Sequence, residues 1–178
     1  KMKLTWFGGT TIRIHIGGAI LVVDPAGAPP LIDAAELVSG ADMVMAGFGA
    51  DLPRVDATLW KPRQPPRLLD AGETPLPVEA WSVGPGCVLV DAVGEAPLLL
   101  LADAAPALGR WAERAVVVLF GQGAVLARRA EAVLEAMPPR LLALAGDEAA
   151  VDRAITTLRD QLDGTGLVAL EAGLAVEI

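Results

Sequence analysis

Residues Thr11–Ile16 alternate, with Ile12, Ile14 and Ile16 on one side and Thr11, Arg13 and His15 on the other. A period of two marks a half-buried strand. Met2–Trp6 before it is short and half apolar, and Ala19–Val23 after it is continuously apolar. Gly8–Gly9 and Gly17–Gly18 are turn signals between these runs. The chain is therefore expected to open with a β-meander that closes at Asp24–Pro25. Ala26–Pro30 reads as a loop, Asp33–Leu37 as a short helix capped by Asp33, and Met43–Ala46 as a short strand. A glycine-rich loop, Gly47–Asp51, follows that strand. Pro53, Pro62, Pro65 and Pro66 forbid a regular element over Pro53–Pro66.

The second half begins with strand patterns at Arg67–Leu69, Val78–Ser82, Cys87–Ala92 and Leu98–Leu101, separated by Gly, Pro, Asp and Glu turns. Pro106–Arg114 suits a short helix and Ala115–Phe120 a buried strand. Over Ala124–Ala136 the stripe of Leu126, Ala130, Val133, Leu134 and Met137 predicts a helix, with Arg128, Arg129, Glu131 and Glu135 mostly off it. Pro138–Pro139 stops it. Arg140–Ala145 reads as a strand. Val151, Ile155, Leu158 and Leu162 predict a helix over Glu148–Leu162, ended by Gly164 and Gly166. Leu167–Glu171 and Leu174–Ile178 read as a closing hairpin around Gly173. The order, a meander, a β-rich middle and then αβαβ, predicts two packed sheets with helices outside.

At 178 residues the chain fits a single domain spanning 1–178, large enough to bury a substantial core. A 53% hydrophobic content excludes intrinsic disorder, and Cys87, the single cysteine, excludes a disulfide scaffold. With 14 basic against 22 acidic residues, and lysine only at positions 1, 3 and 61, no nucleic-acid partner is expected. A mean hydropathy of +0.50 raises the question of a membrane. The richest apolar runs, Pro97–Leu101 and Ala115–Phe120, fall well short of the about 20 residues a spanning helix needs. With no signal-peptide pattern at its start, the expectation is a cytoplasmic chain without a membrane partner. The surplus of apolar surface is expected to serve a homodimer or a protein partner.

Lys3–Leu–Thr–Trp–Phe–Gly–Gly–Thr–Thr–Ile–Arg–Ile14, then Gly17–Gly–Ala–Ile–Leu–Val–Val–Asp–Pro25, resembles the opening of the metallo-β-lactamase fold. Within that superfamily it resembles the branch of L-ascorbate-6-phosphate lactonase-like hydrolases. Ala41–Ala46 resembles the strand before the superfamily's metal motif, and Met137–Ala145 and Leu170–Gly173 its last segments. The resemblance implies a compact, shortened four-layer αββα sandwich of mixed α/β class. It also implies a metal centre built on a His-x-His-x-Asp-His motif, two later histidines and a bridging aspartate, whose metal activates a water. Here the motif position reads Gly47–Phe–Gly–Ala–Asp–Leu52. Only Asp51 matches. The early Gly-His is Gly8–Gly9, the third histidine position falls near Trp81–Ser82, and the last falls near Ala145–Gly146. Asp103, in Ala102–Asp–Ala104, matches the bridging aspartate.

Glycine, leucine and alanine offer no donor side chain. The resemblance therefore implies a degenerate member with no metal and no hydrolase activity, a binding or interaction module. Its vestigial cleft would be formed by Gly8, Gly9, Phe48, Asp51, Trp81 and Asp103, with a small-molecule ligand the sequence does not name. The alternative is a hydrolase of lactones, esters or phosphorylated molecules with a rebuilt carboxylate centre. There Asp51 and Asp103 would hold Mg²⁺ or Mn²⁺ as catalytic residues. Against that stands a structural role for both aspartates as acceptors of loop amides. Phe48 and Trp81 are expected either to fill the cavity the ligands vacated or to line an apolar pocket. His15 is expected to face solvent and Cys87 to be an inert buried thiol. Asp24 reads as a turn residue that accepts backbone amides. Gly8–Thr11 and Gly121–Gly123 are glycine turns whose amides suit either an anion cradle or plain loop geometry.

Overall fold

A computed structural model describes residues 1–64 and 78–178. The strand expected at Arg67–Leu69 lies outside the described residues. The opening meander is present as β1 (Met2–Gly8), β2 (Thr11–Ile16) and β3 (Ala19–Val23). β4 (Met43–Met45) joins β3 in parallel, and β11 (Ala175–Glu177) joins β1 antiparallel, giving the sheet order β11-β1-β2-β3-β4. The second sheet contains β5 (Val78–Gly84), β6 (Cys87–Ala92), β7 (Leu98–Leu101), β8 (Val116–Phe120), β9 (Leu141–Ala145) and β10 (Gly166–Ala169). Its order is β10-β9-β8-β7-β6-β5, with β7 to β10 parallel.

Alternation within the strands builds two cores. Leu4, Ile14 and Leu21 of the first sheet meet Val88, Val90, Leu98, Leu100 and Val118 of the second in the sandwich interior. The intervening residues Leu89, Leu99, Val117, Leu119, Leu142 and Leu144 face outward. They are covered by Leu126, Ala130 and Val133 of α2 (Ala124–Ala136) and by Val151, Ala154 and Leu158 of α3 (Glu148–Leu158). A sheet buried on both faces explains why β7 and β8 read as unbroken apolar runs. Each fully buried leucine contributes about 1.5–3 kcal/mol. Among the described residues the one α-helix on the outer face of the first sheet is α1 (Ala34–Val38), whose Asp33 cap accepts from the Ala35 and Glu36 amides. Arg13, on that face, donates to the Leu37 and Ser39 carbonyls at the end of α1. The layers are thus α, β, β, α, with the first reduced to one short helix. Among the described residues no helix is long and apolar enough to cross a membrane.

Three expectations are corrected. Leu167–Glu171 and Leu174–Ile178 do not form a hairpin: β10 extends the second sheet beside β9 and β11 extends the first beside β1. Alternation fixes a strand but not its partner, and here Gly173 N–H donates to Trp6 O at 2.7 Å as the chain crosses between sheets. The helix expected at Pro106–Arg114 is a 3-10 turn over Arg110–Arg114, entered from extended Gly109. A side chain at Gly109 would meet the Trp111 ring and the Thr58 carbonyl at 3.0–3.1 Å, so this segment is shaped by packing rather than helix propensity. Finally, α3 ends at Leu158 rather than Leu162, four residues short of the end of its apolar stripe.

The described part of the segment after β4, residues 46–64, contains no helix or strand and is well anchored. The indole N–H of Trp111 donates to Ala57 O at 2.7 Å. Arg63 Nε donates to Oδ2 of Asp91, a residue on β6 that is only 1% exposed, at 2.7 Å.

Candidate functional site

The C-terminal ends of β3, β4, β7, β8 and β9, with the β1–β2 and β5–β6 turns, gather at one end of the sandwich. The β1–β2 turn carries Gly8 and Gly9, both at positive φ, where a β-carbon would be strained. It is pinned from below. Thr10 Oγ1 donates to Asp24 Oδ2 at 2.6 Å, and buried Thr11 Oγ1 donates to the Asp24 carbonyl at 2.7 Å. Asp24 itself is left-handed, φ 49°, the single non-glycine residue so placed among those described. The sequence predicts a turn residue whose side chain accepts backbone amides; the carboxylate instead accepts the Thr10 hydroxyl and caps no amide. Replacing Asp24 with alanine is expected to cost about 1–2 kcal/mol, because Thr10 loses its partner while the strain remains. Asp24→Gly relieves the strain and costs less. Equal urea midpoints for the two variants would show that the left-handed backbone contributes nothing.

Phe48, on the loop after β4, stands edge-to-face against Phe120 at the end of β8, centroids 5.4 Å apart at 79°. Such a pair adds about 0.5–1.5 kcal/mol beyond its buried area. A hollow of about 310 Å³ is lined by Trp6, Gly8, Gly9, Phe120, Gln122 and Arg129, among others. A second, of about 470 Å³, is lined by Phe48, Arg54, Ser82 and the Gly84–Gly86 turn. Each aromatic ring of the pair thus borders one hollow.

Gly8 and Gly9 line the first hollow and Phe48 the second. Asp51 is exposed and lines neither hollow. Asp103 is exposed as well, and its Oδ1 accepts the Ala104 amide at 2.7 Å, a local structural bond. Trp81 is not in the cleft. It packs against Trp60, centroids 5.9 Å apart, and Trp60 in turn packs on Trp111 at 5.0 Å, in the outer core. Ala80 faces the sandwich interior, so strand alternation turns Trp81 outward and leaves Ser82 beside the second hollow. Trp6, Phe120 and Arg129 were not singled out for the cleft. Phe120 shares its parity with interior Val116 and Val118, which is legible in the sequence, whereas Arg129 lies off the apolar stripe of α2 and carries no such signal.

His15 is half-buried rather than fully solvent-facing. Its pKa is lowered by partial burial first, then by Lys3 and Arg13. Cys87 lies under the β5–β6 turn, its thiol donating to the Pro85 and Ala104 carbonyls at 3.3 and 3.4 Å. Burial, and then the Asp103 charge, push the thiol from 9.0 up to about 11, against a smaller opposing effect of Arg129. The native thiol is expected to resist alkylation at pH 8 and to react only on unfolding. Its folded pKa is the higher one, so the unfolded chain deprotonates first. Cys87 stability is therefore present below about 9 and lost as pH rises toward about 11. If Cys87→Ser leaves the alkaline loss of stability unchanged, this thiol is not its source.

The resemblance of the opening segments implies a metal, but the described residues do not fit one. Gly47, Phe48, Gly49 and Leu52 after β4, and Gly146 after β9, supply no donor side chains. Among the described residues no group of three or more His, Cys, Asp or Glu side chains could hold a metal ion.

The architecture is that of the metallo-β-lactamase fold. A protein of the metallo-β-lactamase superfamily from Thermotoga maritima, assigned as a zinc-dependent hydrolase, superposes with a TM-score of 0.57 at 16% identity, covering 96% of this chain and 100% of its own. Igni18, a metallo hydrolase from the hyperthermophilic archaeon Ignicoccus hospitalis, superposes with a TM-score of 0.57 at 14% identity, covering 99% of both chains. At these identities the likeness establishes the fold. No protein-family model and no curated protein matches the chain.

Proposed function

We propose that this chain is a degenerate metallo-β-lactamase-fold protein, akin to the lactonase-like branch its opening resembles, that binds no catalytic metal and acts as a binding module. One observation carries the reading: among the described residues no three His, Cys, Asp or Glu side chains converge in a way that could hold a metal ion. The Phe48–Phe120 pair supports it, since two packed rings occupy the end of the sandwich where an open, polar metal pocket would be required. Asp51 and Asp103 remain as exposed loop residues, the latter bonded to its own backbone.

The test is elemental analysis of tag-free protein after dialysis against Zn²⁺, Mn²⁺ and Mg²⁺ in turn. The reading expects substoichiometric metal in all three. About one ion per chain, lost on Asp51→Ala or Asp103→Ala, would overturn it in favour of a hydrolase with a carboxylate centre acting on lactones, esters or phosphorylated molecules.

A further inference from the structure

We infer that the hollow beside Trp6 receives a small organic carboxylate with an apolar body, and that Arg129 pairs with its charge. The inference rests on the proposed reading of a cleft without metal. The hollow, about 310 Å³, is at the lower end of the range for small-molecule sites. Glycine lets two of the loops that border it approach closely. A β-carbon at Gly146 would fall 2.6 Å from the Gly121 carbonyl oxygen, and one at Gly121 would fall 3.2 Å from the Leu126 amide, so the loops after β8 and β9 meet without side chains between them.

Arg129 is the one basic residue lining this hollow. Its Nη1 donates to the Phe120 carbonyl at 2.5 Å, which fixes the guanidinium at the wall. None of the ion pairs among the described residues involves it. A guanidinium has five N–H donors, so one bond to a carbonyl leaves enough for a two-point grip on a carboxylate. The acidic residue lining the hollow, Asp147, is committed elsewhere: its Oδ1 accepts the Ala150 amide at the start of α3 at 2.8 Å. Trp6 has already given its indole N–H to Gly9 O at 3.0 Å, and Phe120 has no polar atom in its side chain, so these two walls are apolar. The charge balance selects the class of anion. A single guanidinium matches the charge of a monoanion, whereas a phosphate ester carries about −1.5 to −2 and asks for more than one cation, the more so with the Asp147 carboxylate in the same wall.

The experiment is calorimetric titration of the tag-free full chain, in EDTA, with phenylacetate, its neutral analogue phenylacetamide, and inorganic phosphate. The expected result is saturable phenylacetate binding, about tenfold or more weaker binding of phenylacetamide, and no tighter binding of phosphate. Arg129→Gln is expected to lose about the same factor, and Arg129→Lys less, since it keeps the charge but not the fork. Should Arg129→Gln fail to fold, the acid–amide comparison on the native chain decides alone. Equal affinity for acid and amide, tighter binding of phosphate, or no saturable phenylacetate binding would overturn the inference. Metal analysis of the same sample separates the two ideas. Metal-free protein that ignores phenylacetate sinks this inference only. Metal-loaded protein that still binds phenylacetate in EDTA through Arg129 sinks the metal-free reading only. Binding that vanishes with the metal sinks both.

Discussion

Arg63→Ala lowers the free energy of unfolding by about 3 kcal/mol. Asp91 is 1% exposed, and Arg63 Nε donates to its Oδ2 at 2.7 Å while Nη2 donates to its carbonyl at 3.2 Å. Glu79 lies further off, 3.7 Å from Nη1. Taking the guanidinium away leaves a carboxylate inside the protein without its charge partner, which costs more than the intact pair is worth. Because the Arg63 side chain is 21% exposed, the expected loss sits at the low end of the range for broken buried pairs. In urea the midpoint should fall with the slope unchanged. Adding Asp91→Asn to Arg63→Ala should recover part of the loss, because a neutral amide is cheaper to bury than a charge. A change of less than about 0.5 kcal/mol in the single variant would mean that water reaches Asp91 and that the pair does not anchor the segment after β4.

Gly146→Ala has a comparable effect for a different reason. The new methyl would lie 2.6 Å from the Gly121 carbonyl oxygen and 3.0 Å from Leu126 Cδ2. The carbonyl belongs to backbone that also bonds Gly121 N–H to Ala145 O, so it cannot swing aside as a flexible side chain would. Overpacking against backbone is expected to cost about 3 kcal/mol, or roughly 6–12 °C in the thermal midpoint for a chain of this size. Gly146 is not at positive φ, so the loss would come from contact alone. Gly18→Ala is the converse control: φ is +79° and nothing lies within 4 Å of the added carbon, so its cost, about 1 kcal/mol, comes from the backbone alone. A Gly146→Ala variant no less stable than Gly18→Ala would show that the two loops can separate freely.

Much of the fold was legible because its signals are local. The Ile12–Ile14–Ile16 alternation, the doubled glycines and the stripe on α2 each fix an element by spacing, and the structure has them all. What failed depends on partners distant in sequence. Local alternation makes the last two strands each other's neighbours, yet β10 finds β9 and β11 finds β1. The 3-10 turn at Arg110–Arg114 is set by Trp111 reaching Ala57, 54 residues away in sequence. The site was half legible. Gly8, Gly9 and Phe48 follow from the loops that carry them. Trp81 was misplaced because the resemblance gave a position along β5 but not the face on which the side chain emerges. Arg129 was missed because a polar residue off an apolar stripe reads as solvated surface, and only the junction of β8 with α2 turns it toward the cleft.

The crossing at Gly173 bears on how the chain assembles. β7 to β10 and the two long helices are built from successive parallel units, so that half can collapse as neighbouring segments meet. The meander cannot be completed in the same way, because Leu4 waits for Val176. Closing so long a loop is slow, and until it happens one margin of β1 offers unpaired amides and carbonyls to any passing strand. Refolding of this protein should therefore show a late phase in which the Leu4–Val176 pairing forms, and the intermediate before it is the species most exposed to aggregation.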